Sequence, residues 1–360
     1  MPKIVVTNPI FPEVETRLRD VGEVVINGHG APWSRDELLD RLHDADAMLA
    51  FMTDTVDQEL LDRCPNLKIV ACALKGFDNF DVEACTRAGV WLTVVPDLLT
   101  VPTAELAVAL TLGLCRNLLA GDDRVRAGGF DGWRAELYGS GLQNAIVGIA
   151  GLGRVGLAIA ERLKGFGPRL LGFDERPISQ AALAGCGISP VAWDKLIGES
   201  EIIILALPLN ARTFHLVSAA ALRRTQRGTR LVNIGRGSIV DEAAVAQSLE
   251  ENHIGGYAAD VFEMEDWAVE GRPRRIPQRL LALRDRTLFT PHLGSAVRSA
   301  RLAIEQAAAD AIIAVLSGRQ PANAVNREEP RRDPSTDLKS TANAPMRSSA
   351  SGPSSKVREG

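Results

Sequence analysis

The run Ala145-Ile-Val-Gly-Ile-Ala-Gly-Leu-Gly-Arg-Val-Gly156 constrains this chain more than any other stretch. It opens as unbroken apolar sequence, the pattern of a strand buried on both faces. Glycines then fall at 151, 153 and 156, and helical sequence resumes at Leu157-Ala-Ile-Ala-Glu-Arg-Leu163. Strand, G-x-G-x-x-G turn and helix together form the cradle that holds a dinucleotide pyrophosphate. In that geometry Gly151 makes the tight turn, Gly153 lets the pyrophosphate approach the backbone, and Gly156 lets helix pack on strand. The amides and dipole at the helix start receive the anion. A glycine-rich turn alone is common. Here a second apolar run, Arg169 to Phe173, follows and leads into Asp174, 18 residues after Gly156. An acid there accepts hydrogen bonds from the adenosine ribose hydroxyls. The pattern predicts an NAD site at Gly151, Leu152, Gly153, Arg154, Val155, Gly156 and Asp174.

Size and charge narrow the rest. A chain of 360 residues with 46% hydrophobic content is expected to form two domains with ample core. Its net charge of -4 argues against a nucleic-acid surface, which needs a basic face to neutralise phosphates. Cys64, Cys72, Cys85, Cys115 and Cys186 form no C-x-x-C pair and read as reduced core thiols of a cytoplasmic protein. The N-terminus runs straight into strand-like sequence, so no signal peptide is expected. The most apolar helix, Leu106 to Cys115, is too short to span a bilayer. No HExxH, Cys/His cluster or paired-carboxylate spacing points to a metal site.

Strand-like and helical segments alternate along the chain. Strands are expected at Ile4 to Thr7, Val24 to Ile26, Ala47 to Met52, Leu67 to Ala73 and Val90 to Val94, with Ser34 capping a helix to Leu42. This first α/β unit is expected to end near Pro96-Asp97. A helix from Thr103 to about Ala120, with Pro102 tolerated in its first turn, is apolar nearly all round and so is expected to be buried, against a second subunit. An irregular segment between Arg126 and Asn144 carries Trp133 and Tyr138, unusual for a linker. The glycine-rich unit continues through strands at 202–206, 230–234, 256–261 and 287–290, and a helix from Val297 to Ser317 returns to the first unit. The fold expected is α/β: two doubly wound parallel-sheet domains, with a Rossmann domain (99–295) inserted into a flavodoxin-like substrate domain (1–98 and 296–326). Residues 327–360, rich in Ser, Pro, Ala and charge, are expected to be a disordered tail.

Four ordered motifs then carry a resemblance. They are Gly151-Leu-Gly-Arg-Val-Gly156, Asn233-Ile-Gly-Arg-Gly-Ser-Ile-Val-Asp241, Asp260-Val-Phe-Glu-Met-Glu265 and Thr290-Pro-His-Leu-Gly-Ser295. Together they resemble the D-isomer-specific 2-hydroxyacid dehydrogenases over residues 1–326. Ala73-Leu-Lys-Gly-Phe-Asp-Asn-Phe80, Val95 to Thr103, the Trp133/Tyr138 segment and Met264-Glu-Asp-Trp267 resemble the phosphite-oxidising (phosphonate dehydrogenase) branch of that family. Asp174 in place of a glutamate and the sequence around 269–286 depart from that branch.

His292 follows a strand end and precedes Gly294-Ser295, a position from which a side chain reaches an inter-domain cleft. His29, His43, His215 and His253 read as surface or satisfied core. The resemblance makes Glu265 the carboxylate partner of His292, fixing the imidazole tautomer as a general base requires, while Glu263 and Asp266 are expected to be solvated acids. Arg236, between two glycines after a buried strand, can present its fork to an anionic substrate, a structural salt bridge being the bland alternative. The resemblance adds Met52, Lys75, Gly76 and Arg301 as substrate contacts, and Thr103, Pro208 and Asp260 as cofactor contacts. It implies NAD-dependent oxidation of phosphite to phosphate, and the apolar helix with the Trp133/Tyr138 arm, which has little to pack on within one chain, predicts a homodimer. Two alternatives stay open: reduction of a 2-keto acid such as glyoxylate or hydroxypyruvate, and a non-catalytic NAD-sensing module.

Overall fold

The computed structural model describes residues 1–95 and 97–326. The boundary expected at Pro96 and the tail expected to be disordered lie outside them. Two all-parallel sheets organise the chain. The first joins β1 (Lys3–Val6), β2 (Glu23–Ile26), β3 (Ala47–Ala50), β4 (Ile69–Cys72) and β5 (Trp91–Thr93) in the order β2-β1-β3-β4-β5. The second joins β6 (Ile146–Ala150), β7 (Arg169–Phe173), β8 (Ile188–Pro190), β9 (Ile202–Leu205), β10 (Arg230–Asn233), β11 (Gly256–Ala259) and β12 (Thr287–Phe289) in the order β12-β11-β10-β9-β6-β7-β8. These are the flavodoxin-like and dinucleotide-binding doubly wound orders. Each reverses direction beside its first strand, where the carboxyl ends of neighbouring strands open a crevice. The apolar runs behave as expected for strands covered on both faces: β3, β4, β9 and β11 are buried at every residue.

Local signals set the helix starts. Ser34 accepts from the Glu37 amide while Glu37 returns a bond to the Ser34 amide, a complete capping box on Arg35–Leu42. Asp57, Asp81 and Asp241 cap the helices Gln58–Arg63, Val82–Arg87 and Glu242–Glu250 through the same kind of side-chain bond. The returning helix Arg298–Leu316 packs on β3, β4 and the helix Pro12–Arg19.

The long apolar helix differs from expectation. It starts at Thr100, stops at Cys115, and resumes as Leu118–Arg126 after a bend of 65°. Asn117 makes the break, in the left-handed region at φ 53°, where asparagine is tolerated. The first piece packs within its own chain, against the helix Arg154–Leu163 and strands β10 to β12, and leaves Val101, Glu105 and Ala109 exposed. Among the described residues no single helix is long and apolar enough to cross a membrane.

Candidate active site

The glycine turn is built as its spacing requires. Gly151 has φ +95°, open to glycine, and any Cβ there would strike the carbonyl of Ala206. A Cβ on Gly156 would strike the Gly151 carbonyl, so glycine alone permits the helix Arg154–Leu163 to sit on this turn. Gly153 is different. A Cβ there would meet only the Arg176 guanidinium, at 3.8 Å, so the face toward a ligand is open. Gly153 is also the N-cap and supplies no side-chain bond, which leaves the first helical amides for an anion. These features fit a dinucleotide pyrophosphate. Arg154 forms an ion pair with Asp97 from the segment after β5.

Asp174 follows the end of β7. Its Oδ2 accepts from the Leu152 amide at 2.8 Å, and its Oδ1 accepts from the Arg176 amide at 2.9 Å and from Arg176 Nε at 3.2 Å. Burial opposes its charge, but these donors outweigh burial and hold the carboxyl below its usual range. An anionic acid here repels a 2′-phosphate, while Arg176 beside it offsets part of that repulsion. Asp174→Ala is therefore expected to raise kcat/KM for NADP by more than it lowers the value for NAD. A wild type that already prefers NADP in initial-rate assays would disprove this role.

The His292–Glu265 pair forms where two turns meet. The His292 ring approaches Glu265 with Nδ1 to Oε2 at 2.7 Å, and Glu265 Oε1 accepts from the Phe262 amide at 2.9 Å. The carboxylate is thus oriented by its own turn and in turn orients the imidazole. His292 itself sits at φ 54°. Asp260, almost fully buried, holds that conformation: its Oδ1 accepts from Thr290 Oγ1 and the Leu293 amide, both at 2.6 Å, and its Oδ2 from the Gly294 amide at 2.8 Å. Burial raises the Asp260 carboxyl, against these donors. Thr103 Oγ1 reaches the Gly294 carbonyl at 3.2 Å. Asp260 and Thr103, expected as cofactor contacts, are placed to shape the His292 loop. Pro208 lies exposed on the loop after β9, its carbonyl bonded to Thr213 Oγ1 at 2.7 Å.

The three cations gather on one short backbone segment. The Arg236 guanidinium lies so close over Gly76 that a Cβ there would overlap it. Arg301 donates from Nη1 to the Ala73 carbonyl at 3.2 Å and stands over the Phe51 ring, 5.6 Å from its centre. Lys75 lies between those two points along the chain, half-buried, and burial and then the charge of Arg154 push its pKa down. Two of the three have acid partners. Arg236 pairs with Asp78 at 3.3 Å, the salt bridge held as the bland alternative, and Arg301 pairs with Glu305 at 3.4 Å. Met52 is half-buried against the first-sheet core, its carbonyl held by Asn79 at 2.9 Å.

Two expectations are corrected. Glu263 and Asp266 are buried, not solvated. Glu263 Oε2 meets His215 Nε2 at 3.0 Å, and Asp266 Oδ2 accepts from the Ser238 amide at 2.6 Å. Acids flanking Glu265 read as surface charge in a sequence; here they tie one loop to another. Asp78 was missed although it stands three residues beyond Lys75, because nothing local marks an acid that pairs with an arginine 158 residues away.

A family model for the NAD-binding domain of D-isomer specific 2-hydroxyacid dehydrogenases matches residues 108–294. The glyoxylate reductase of Thermococcus onnurineus (strain NA1) is 35% identical over 332 residues, 91% of this chain and 96% of the relative. The crystal structure of the TT0316 protein from Thermus thermophilus superposes with a TM-score of 0.81 at 31% identity, covering 90% of this chain and 99% of that one. A 2-hydroxyacid dehydrogenase structure described as putative, from Polaromonas sp. JS6 66, gives 0.82 at 28% identity, covering 91% and 100%. With its two sheet orders, its glycine turn and relatives matched along almost their whole length, the chain belongs to the NAD-dependent D-isomer-specific 2-hydroxyacid dehydrogenase family.

Proposed function

We propose that this NAD-dependent oxidoreductase oxidises phosphite to phosphate. The observation that carries the reading is the gathering of Lys75, Arg236 and Arg301 on the segment Ala73 to Gly76, within the stretch that resembles the phosphite-oxidising branch. Phosphite presents three oxygens and up to two charges and has no carbon tail to bury. Three cations around a monoanion would leave positive charge partly desolvated, at a cost in free energy. Asp78 and Glu305 offset part of that charge, and a dianion entering the cleft competes with Asp78 for the Arg236 fork.

In this reading Arg236, Lys75 and the Gly76 backbone hold the anion, Met52 borders it, and Arg301 adds a third positive charge. His292, its Nδ1 held by Glu265, takes a proton from the attacking water at Nε2. NAD, when bound, supplies the hydride acceptor. Residues 1–98 with 296–326 form the substrate domain, and residues 99–295 the cofactor domain. Pro208 serves the cofactor side directly, and Asp260 and Thr103 serve it through the His292 loop that they shape.

The comparisons favour a second reading. The relatives matched over 91% of this chain are named glyoxylate reductases, which supports reduction of glyoxylate or hydroxypyruvate with His292 giving a proton to the carbonyl oxygen. NADH absorbance separates the two. The phosphite reading expects kcat/KM for phosphite at least about 10²-fold above that for any 2-hydroxy acid, a gap of about 2.7 kcal/mol in transition-state binding. Robust glyoxylate reduction with no phosphite-dependent NADH would establish the second reading. No turnover of either would leave the NAD-sensing module.

A homodimer completes the proposal. Trp133 and Tyr138 are 79% and 77% exposed, Phe130 is exposed on the same segment, and Leu118 and Leu119 are exposed on the helix Leu118–Arg126 that leads into it. Apolar side chains clustered this way on an irregular arm suit a partner surface, and the arms of two copies crossing would cover them. Light scattering is expected to give twice the monomer mass; a stable, active monomer would defeat the idea. The five cysteines, all free, support a reducing, cytoplasmic setting.

A further inference from the structure

Two acids that the proposed reaction does not use are buried behind the Glu265 turn. Glu242, 1% exposed, opens the helix Glu242–Glu250, and Glu263 opens the turn Glu263–Glu265. Each carboxylate holds the other's backbone. The Glu242 amide donates to Glu263 Oε1 at 2.9 Å, and the Glu263 amide donates to Glu242 Oε1 at 2.9 Å. The second oxygen of Glu263 meets His215, which lies on the loop after β9 that also carries Pro208. Glu242 Oε2 is buried with no hydrogen-bond partner among the described residues. An ionised carboxylate in that position loses its hydration without replacement, which favours the protonated form.

We propose that Glu242 is a positioning residue for the acid–base pair, a carboxyl that works in its protonated form to hold the Glu263–Glu265 turn and so aim Glu265 at His292. The inference rests on the roles given to Glu265 and His292. The groups facing Glu242 are mostly acidic: Glu263, Glu265 and Asp266 from the turn and Tyr257 from β11, with His215 on the far side of Glu263 and Arg236 beyond Asp266. Burial, followed by the charges of Glu263, Asp266 and Glu265, lifts the Glu242 carboxyl to about 7, against the pull of the Glu263 amide. A glutamine would keep the oxygen that accepts from the Glu263 amide and could not ionise. An alanine would remove that oxygen and free the turn.

A carboxyl raised from 4.5 to about 7 on folding stabilises nothing when ionised. The folded state loses stability as pH rises from the unfolded value through the folded one, and the loss levels off above it. The Tm of Glu242→Gln minus that of wild type is therefore expected to grow from about pH 5 to about pH 7 and then stay constant.

The test compares wild type, Glu242→Gln and Glu242→Ala in turnover of phosphite and glyoxylate, in NADH affinity by fluorescence, and in Tm against pH. Glu242→Gln is expected to keep kcat within about twofold of wild type and to show the growing Tm difference. Glu242→Ala is expected to lose about tenfold or more in kcat, with NADH affinity within about twofold and the acidic limb of kcat/KM moved to lower pH, a pattern that glutamine reverses. An alanine variant with wild-type kcat and an unmoved limb overturns the proposal, as does a glutamine variant that loses as much as alanine. Should the alanine variant not fold, the glutamine variant decides alone. Wild-type protein that turns over neither substrate would defeat the proposed function instead, and the Tm comparison would still judge the protonation of Glu242.

Discussion

Replacing His292 with asparagine is expected to lower kcat by about 10²- to 10⁴-fold, the ordinary loss when a general acid–base group is removed. The backbone makes this a clean experiment. His292 sits at φ 54°, where asparagine is tolerated and β-branched residues are strained. The bonds that shape the loop come from Asp260 and Thr103, and none uses the imidazole. The asparagine variant should therefore fold, bind NADH with wild-type affinity, and fail in turnover. Binding measured by NADH fluorescence and rates measured by absorbance check both halves. A variant that keeps most of its kcat would take the acid–base role away from His292.

Gly237→Ala is expected to be among the most damaging single-methyl changes at the described residues. A Cβ at 237 would lie inside the backbone of Phe262 and Glu263, so one of the two loops must move. Those loops carry Arg236 and Glu265, and the Ser238 amide bond to Asp266 joins them one residue further on. Overpacking against backbone costs about 3 kcal/mol, which corresponds to a fall in Tm of about 6–12 °C for a domain of this size. Because the displacement separates the anion fork from the acid–base pair, kcat should fall with stability, by about tenfold or more in the protein that remains folded. Wild-type Tm and kcat in this variant would show that the two loops pack less tightly than described.

The site was legible in the sequence wherever a residue type is forced by its own neighbours. The glycines at 151 and 156 are required by a positive φ and by a helix resting on a turn, and both constraints lie within six residues. His292 and Glu265 stand 27 residues apart, yet each ends a strand–turn motif of the second sheet, so the order of β11 and β12 brings them together. The break at Asn117 was not legible. The sequence from Thr103 to about Ala120 is apolar enough to read as one helix, and the bend accompanies packing of its first piece into the core.

Alternation of apolar runs with helical segments, capping residues and the glycine spacing determined by themselves that this chain builds two parallel-sheet units with a dinucleotide turn. These are short-range properties: a strand, a cap or a tight turn is specified by residues within about one helical turn of each other. Tertiary structure alone decided which charges are solvated and which are buried. Glu242, Glu263 and Asp266 have the composition of a solvated face, and Arg236 and Arg301 that of free cations. Yet each is bound to a partner from another loop or along its own helix. The strength of a charge depends on whether water or protein surrounds it, and that surrounding exists only once the sheets have assembled and their loops have met.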